Sequence, residues 1–214
     1  MKAIKYIASL LAGITLFSCD NFEDINTNPD SVTKVSPKLL ATGAIVGLMK
    51  PSKGKNFIYN QMTCKYIGWS EALEGTQYNN FGRESFSGYK LMAELTDKDE
   101  TMNEDKRNAY KGLALFLKAY RLFEYTLNVG DIPYEGILEG KEGNLTVAYN
   151  TQEDVFKFLL NDLDKAHEYF QNANQTTFDG DPIFGGKVEQ WHRVSNALEL
   201  RVLINLSKKI NSTD

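Results

Sequence analysis

The stretch EDKRNAYKGLALFLKAYRLFEYTLN, residues 104–128, decides the fold. Within it Ala109, Leu113, Phe116, Tyr120, Phe123 and Leu127 follow one another at spacings of 4, 3, 4, 3 and 4, which places them on one stripe of an α-helix. Lys111, Lys118, Arg121 and Tyr125 take the other side. The segment Gly130-Asp131-Ile132-Pro133-Tyr134 stops the helix sharply, because glycine supplies a C-terminal cap and proline cannot continue the hydrogen-bond ladder.

Downstream of this helix a Gly-bearing loop, residues 135–150, leads to Thr151 with Asp154 three residues on, a variant of the capping box. The helix so opened carries Val155, Leu159, Leu163, Ala166 and Phe170 on one face, with Glu153 and Asp154 at its positive end. Residues 172–187 form a second polar break. Residues 191–209 read as a third strong helix, apolar over most of its circumference from Leu198 to Leu206, and such a helix must be covered by partners. Upstream, Ser36 as N-cap and Pro37 in the first turn open a helix over residues 38–49 with Leu39, Leu40, Ile45, Val46 and Leu48 on its apolar side. Residues 57–73 are predicted as a further helix. Residues 74–89, with Gly75, Gly82 and Gly88, read as loop. No run of alternating strands appears, so the chain is expected to be all-α, with connections long enough to carry function.

The composition suits a buried core: 214 residues, 42% apolar, five prolines and sixteen glycines, most simply in one domain. With 24 basic against 28 acidic residues and no Lys/Arg block, the electrostatic footprint of a nucleic-acid binder is missing. Aromatic residues make up 12%, and eleven of them are tyrosines, an excess that leaves rings for the surface, where Tyr and Trp serve recognition.

The N-terminus begins with Lys2 and Lys5, continues apolar from Tyr6 to Phe17 and ends Ser18-Cys19. That run has the length of a signal-peptide core and is short of the roughly 20 residues that span a bilayer. Ser18 directly before Cys19 resembles the lipobox of bacterial lipoproteins, which implies cleavage before Cys19 and acylation of its thiol. Acyl chains stabilise membrane attachment by about 0.8 kcal/mol per buried CH₂, so no spanning helix is needed. With Cys19 capped, Cys64 is most simply a buried thiol. The expected organisation is therefore a signal peptide over residues 1–18, an acylated tether and Asn/Pro turn over 19–35, and a helical domain over 36–214. Asp20-Asn21-Phe22-Glu23-Asp24 reads as a solvated acidic tether. It also resembles the acidic segment that sends Bacteroidetes lipoproteins to the cell exterior. Residues 24–30 alternate oxygen-bearing side chains as a calcium loop does, but Pro29 and Val35 stand where an EF-hand needs glycine and glutamate, so an Asx-type turn is preferred.

Several pieces, in this order and at these separations, resemble the SusD/RagB outer-membrane lipoproteins of Bacteroidetes: Cys19; Asn26-Thr27-Asn28-Pro29; the long helix into Gly130-Asp131-Ile132-Pro133-Tyr134; Tyr149-Asn150-Thr151-Gln152-Glu153; Gly180-Asp181-Pro182-Ile183-Phe184-Gly185-Gly186; and Trp191 followed by Ser195-Asn196-Ala197-Leu198-Glu199-Leu200-Arg201. The resemblance implies a SusD-like α fold of TPR-like helix pairs with long irregular loops. It implies a cell-surface protein that closes over a TonB-dependent, SusC-like transporter and captures an oligosaccharide or peptide for uptake. Family members are typically more than twice as long, so the chain corresponds to the N-terminal part. Gly130, Asp131, Pro133, Tyr134, Trp191 and Arg201 are read as framework; an Arg201 buried among Leu200, Val202 and Leu203 would need an acceptor.

Catalysis finds little support. The histidines are His167 and His192 alone, with no HExxH and no spacing that fits zinc, and no cofactor or metal is expected. No Gly-x-Ser-x-Gly elbow or P-loop frame is present. Glu71 and Glu74 stand one turn apart, a spacing common on solvated helix faces. Sugar binding asks only for a ring to stack a pyranose face and for amide and charged groups to meet hydroxyls. Trp69, Tyr78, Asn80, Phe81 and Arg83 supply that set within about fifteen residues, with Trp69 and Tyr78 stacking and Asn80 and Arg83 hydrogen-bonding; the bland alternative is a core Trp69 beside an ordinary polar loop. A different class of function stays open: a helical-repeat scaffold that binds only protein.

Overall fold

A computed structural model describes residues 35–49, 86–139 and 146–210, together with Tyr66, Gly68 and Gly143. The predicted helix over 57–73, Cys19, Cys64 and the 24–30 turn lie outside the described residues. Ser36 and Pro37 open α1, Pro37–Met49, with the Leu39 N–H donating to Ser36 Oγ at 3.4 Å. Its core contacts are Ala41 and Ile45, while Leu39 and Val46, expected on the apolar side, are 46% and 42% exposed. The second helix, α2, Ser87–Lys98, starts inside the segment read as loop. Met92 and Thr96, four apart, are fully buried and drive it onto the core; Gly88 and a Phe86 cap without a side-chain hydrogen bond conceal it in sequence.

The long helix, α3, spans Glu104–Val129, capped by Asn103, whose side chain accepts from the Lys106 N–H at 2.9 Å. It ends where Gly130, at φ 83, donates its N–H to the Thr126 carbonyl at 2.9 Å. A 3₁₀ turn at Gly136–Leu138 follows. The next helix, α4, is Gln152–Asn172: Thr151 Oγ1 accepts from the Asp154 N–H at 3.2 Å and donates to Asp154 Oδ2 at 2.7 Å, the expected capping box. The last described helix, α5, is Val188–Ile210. Among the described residues there are no strands, only the isolated bridges Ile132 to Asn150 and Thr177 to Lys187, which clip the two loops closed. The fold is all-α.

Cross-contacts fix how the helices run. Asn108 meets Asn172, Lys118 meets Asp162 and Phe123 meets Phe156, so α3 and α4 form an antiparallel pair. His167 against Asn196 and Phe170 against His192 make α4 and α5 antiparallel, and Phe116 on Trp191 with Phe123 under Arg201 makes α3 and α5 parallel. Lys111 to Asp97 and Phe86 to Tyr125 set α2 antiparallel to α3. With neighbours on several sides, α3 buries more than one stripe: Tyr110, Leu117 and Leu122 join Ala109, Leu113, Phe116 and Phe123 in the core. Leu127, predicted in the stripe, is 43% exposed, although Thr126 beside it is fully buried. The cations on the supposed solvent side are anchors. Lys111 pairs with Asp97 at 2.5 Å and Lys118 with Asp162 at 2.8 Å, while Arg121 Nη2 donates to the Gly47 carbonyl at 2.9 Å.

On α5, Leu198 and Val202 are buried, but Leu200, Leu203 and Ile204 are 59%, 39% and 61% exposed, so the cover expected for this helix is not supplied by the described residues.

Candidate functional site

The sharp corner after α3 is built by its own side chains. Asp131 Oδ1 accepts from the Gln152 N–H at 2.8 Å and so caps α4, and the Gln152 side-chain amide donates back to the Thr126 carbonyl at 2.7 Å. Tyr134 turns inward, 2% exposed, and donates its hydroxyl to Asp162 Oδ2 at 2.6 Å. The same oxygen accepts from Lys118 Nζ at 2.8 Å, and that ammonium lies 4.4 Å from the centre of the Tyr134 ring, whose other contact is a stack on Phe158 at 5.6 Å. Burial foremost, then the charge of Asp162, pushes the Tyr134 phenol well above the usual tyrosine range, so it acts only as a neutral donor. This is a satisfied buried network joining α3, α4 and the corner.

A second corner, between α4 and α5, is organised by Asp181. Its carboxylate accepts from the N–H groups of Ile183, Phe184 and Gly186 and from Trp191 Nε1–H at 2.8 Å. Trp191 is 2% exposed, with Phe184 edge-on at 5.2 Å and Phe116 at 5.7 Å. Gly186, at φ 79, sits against the Phe178 backbone, where a Cβ would overlap the carbonyl oxygen. Tyr110 of α3 reaches the same loop, donating to the Asp179 carbonyl at 2.8 Å; burial and then the Asp179 charge raise its phenol to about 12. Both corners tie helix ends together through these hydrogen bonds.

Beside the second corner lies a concave site. A cavity of about 420 Å³ is lined by Phe170, Gln171, Asn174, Gln175, Glu189 and His192 above the buried Val188. One wall is fixed by the only two histidines of the chain. His192 Nε2 lies 2.6 Å from His167 Nδ1, and His167 Nε2 lies 2.7 Å from the Gln171 side-chain nitrogen. A Gln171 amide that donates to His167 Nε2 leaves the His167 Nδ1–H to meet the His192 Nε2 lone pair. Burial first, and then the neighbouring His167, lowers the His192 pKa. Asn174 and Gln175 both adopt left-handed backbone, at φ 49 and 57. Asn174 Nδ2 is tied to Asp105 Oδ1 of α3 at 2.9 Å.

The sequence-predicted residues divide. Trp69, Tyr78, Asn80, Phe81 and Arg83, and the Cys19 attachment, lie outside the described residues. The structure places Gly130, Asp131, Pro133 and Tyr134 together at the first corner and Trp191 at the second. Arg201 is exposed, so it needs no buried acceptor; its guanidinium lies 5.6 Å from the Phe123 ring centre. The histidine-walled cavity escaped the sequence reading, because 25 residues separate the two rings and only the antiparallel α4–α5 pairing unites them. The amide-rich break at residues 172–175 was its one local signal.

Residues 29–213 match a family profile, SusD-like, described as starch-binding and associating with the outer membrane. Among solved structures, a SusD homologue from Bacteroides fragilis is 42% identical at a TM-score of 0.66, with 84% of this chain and 38% of that chain covered. A second SusD homologue from the same species is 28% identical at a TM-score of 0.57, covering 81% and 36%. A Bacteroides vulgatus structure, 24% identical at a TM-score of 0.59 with 81% and 37% covered, supports the fold. The chain thus spans less than two fifths of the length of the solved structures it matches. A comparison with curated proteins finds none that matches.

Proposed function

This chain belongs to the SusD-like family, and from that premise we propose that it captures an oligosaccharide at the cell surface and delivers it to a partner TonB-dependent outer-membrane transporter, without catalysis. The observation that carries the reading is the family match over residues 29–213, whose description joins starch binding to the outer membrane. Cys19 is the lipid attachment, after a signal peptide over residues 1–18, and residues 19–35 are the tether that faces the exterior. No described helix is long and apolar enough to cross a membrane. The helical domain from residue 36 onward presents the ligand site, with Trp69 and Tyr78 stacking on the sugar, Phe81 beside them, and Asn80 and Arg83 meeting its hydroxyls.

A second reading, a scaffold that binds only protein or peptide, draws on the exposed Leu200, Leu203 and Ile204 of α5. Two measurements separate them. Metabolic labelling with a palmitate analogue should mark the wild-type chain and not Cys19→Ser. A glycan array should give sugar-specific signal that Trp69→Ala diminishes; no glycan signal beside co-purification of a large β-barrel favours the scaffold.

A further inference from the structure

The cavity between α4 and α5 combines three features that together select a ligand class. Its rim is amide-rich, and the amides are held in place. The Asn174 nitrogen is occupied by Asp105, which leaves the Asn174 carbonyl oxygen, and both polar atoms of Gln175, without a partner among the described residues. Both residues stand in left-handed backbone, a conformation that glycine or asparagine accepts readily and glutamine does not, so the Gln175 side chain is presented at a conformational cost. Thr176 N–H donating to the Ala173 carbonyl at 2.9 Å holds the turn.

The floor is apolar and aromatic. Phe170 is 3% exposed and Val188 1%, and the half-buried His192 ring lies 6.0 Å from the Phe170 ring at an angle of 39°. The His192 ring is fixed from behind by His167, itself held by Gln171. Charge is nearly absent. The one formal charge among the lining residues is Glu189, ion-paired with Arg193 one turn along α5, and burial disfavours the charged form of His192.

No lysine or arginine lines the cavity, so an anion has nothing to meet. The rim of amides and carboxylate is too polar for an apolar ligand. Among the described residues no group of three or more His, Cys, Asp or Glu is disposed to hold a metal ion. What remains is an uncharged molecule with many hydroxyls and one apolar face. The cavity volume, at the lower end of the roughly 300–1,000 Å³ of ligand pockets, holds about one or two such rings.

We propose that this cavity is a sugar subsite separate in sequence from the Trp69–Arg83 cluster: a pyranose ring lies against the half-buried His192 ring, which the buried Phe170 backs, while Asn174, Gln175 and Glu189 meet its hydroxyls. The assignment rests on the nutrient-capture reading for the source of the sugar, and it extends that reading by giving the chain a second contact point for a longer glycan. Two weak subsites on one chain raise the avidity for a polymer well above that of either alone.

The test is residue-resolved. The isotope-labelled chain is titrated by NMR with D-glucose, D-galactose, D-xylose and N-acetyl-D-glucosamine at millimolar concentrations. At least one sugar should give saturable shifts at the side-chain amides of Asn174 and Gln175 and at the His192 ring. Gln175→Gly, which removes the amide and suits the left-handed backbone, should weaken that response about tenfold or more with the fold intact, as should Glu189→Gln. Shifts that do not saturate at these residues with any sugar, or equal affinity in both cavity variants, overturn the subsite. If such a result accompanies oligosaccharide binding by calorimetry, the subsite falls and nutrient capture stands; silence in both measurements removes both.

Discussion

Replacing Asp162 with alanine should be among the most damaging single changes that leave the helical pattern untouched. The carboxylate is 7% exposed and serves two donors through one oxygen, Lys118 Nζ at 2.8 Å and the Tyr134 hydroxyl at 2.6 Å. Removing it leaves an ammonium whose side chain is 16% exposed and a phenol that is 2% exposed, both without an acceptor. Breaking a buried ion pair from one side costs about 3–5 kcal/mol. An orphaned buried hydroxyl costs about 1–3 kcal/mol. Because Lys118 has a flexible stem and can reach toward water, the sum should settle near 3–5 kcal/mol rather than at the arithmetic maximum. For a chain of this size that lowers Tm by roughly 6–20 °C. Lys118→Met with Asp162→Leu and Tyr134→Phe should recover to within about 2 kcal/mol of wild type, since apolar groups of similar volume replace a satisfied polar network at little net cost. Urea unfolding followed by circular dichroism at 222 nm gives the difference. A loss below about 1 kcal/mol in Asp162→Ala, or a triple variant as unstable as the single one, would refute the claim that this network locks the corner at residues 130–134 onto α3 and α4.

Further consequences can be checked together. Asp181→Ala takes the acceptor from three backbone N–H groups and from the buried Trp191 indole, and should cost about 2–4 kcal/mol in denaturant unfolding with a shift in tryptophan fluorescence. Gly186→Ala, at φ 79 against the Phe178 backbone, should lose at least about 2 kcal/mol, seen as a lower thermal midpoint. The depressed pKa of His192 means that the unfolded chain binds a proton more readily than the folded one, so this group's stabilisation is complete above its ordinary value of about 6.5 and is lost as pH falls below it. Thermal midpoints at pH 7.5 and 5.5 should differ less in His192→Gln than in wild type, and an unchanged difference counts against the paired-histidine geometry. The groups that face this pair are Gln171, Asn196 and Phe170, which carry no charge, and across the cavity Glu189, which is ion-paired with Arg193.

How much of this was legible in sequence follows from the range of each interaction. Period and caps are local, and they placed α1, α3, α4 and α5 within a few residues, because Ser36, Thr151 and Gly130 act within one turn of their own positions. The missing helix, α2, carries Met92 and Thr96 at a helical spacing but opens on Ser87-Gly88 without a capping side chain, so its start has no local signature. Burial of the charged face of α3 could not be read from the helix alone. Lys118 is partnered by Asp162, 44 residues away; periodicity assigns Lys118 to solvent, and Asp162, at the apolar face of α4, carries no local sign of its partner. The apolar girth of α5 is legible in its sequence, but its cover is not: Leu200 and Ile204 stand exposed among the described residues. The histidine-walled cavity depends on a loop that reverses the chain between α4 and α5, and two isolated histidines carry no pattern until that reversal is known.

Capture of a sugar is tested most directly by isothermal titration calorimetry of the wild-type chain against starch-derived and other neutral oligosaccharides, with Trp69→Ala/Tyr78→Ala as the control. A saturable heat with at least one oligosaccharide, lost or weakened about tenfold or more in the double variant, is the expected result. Flat titrations across the panel from a chain whose circular dichroism is that of an all-α fold would contradict it.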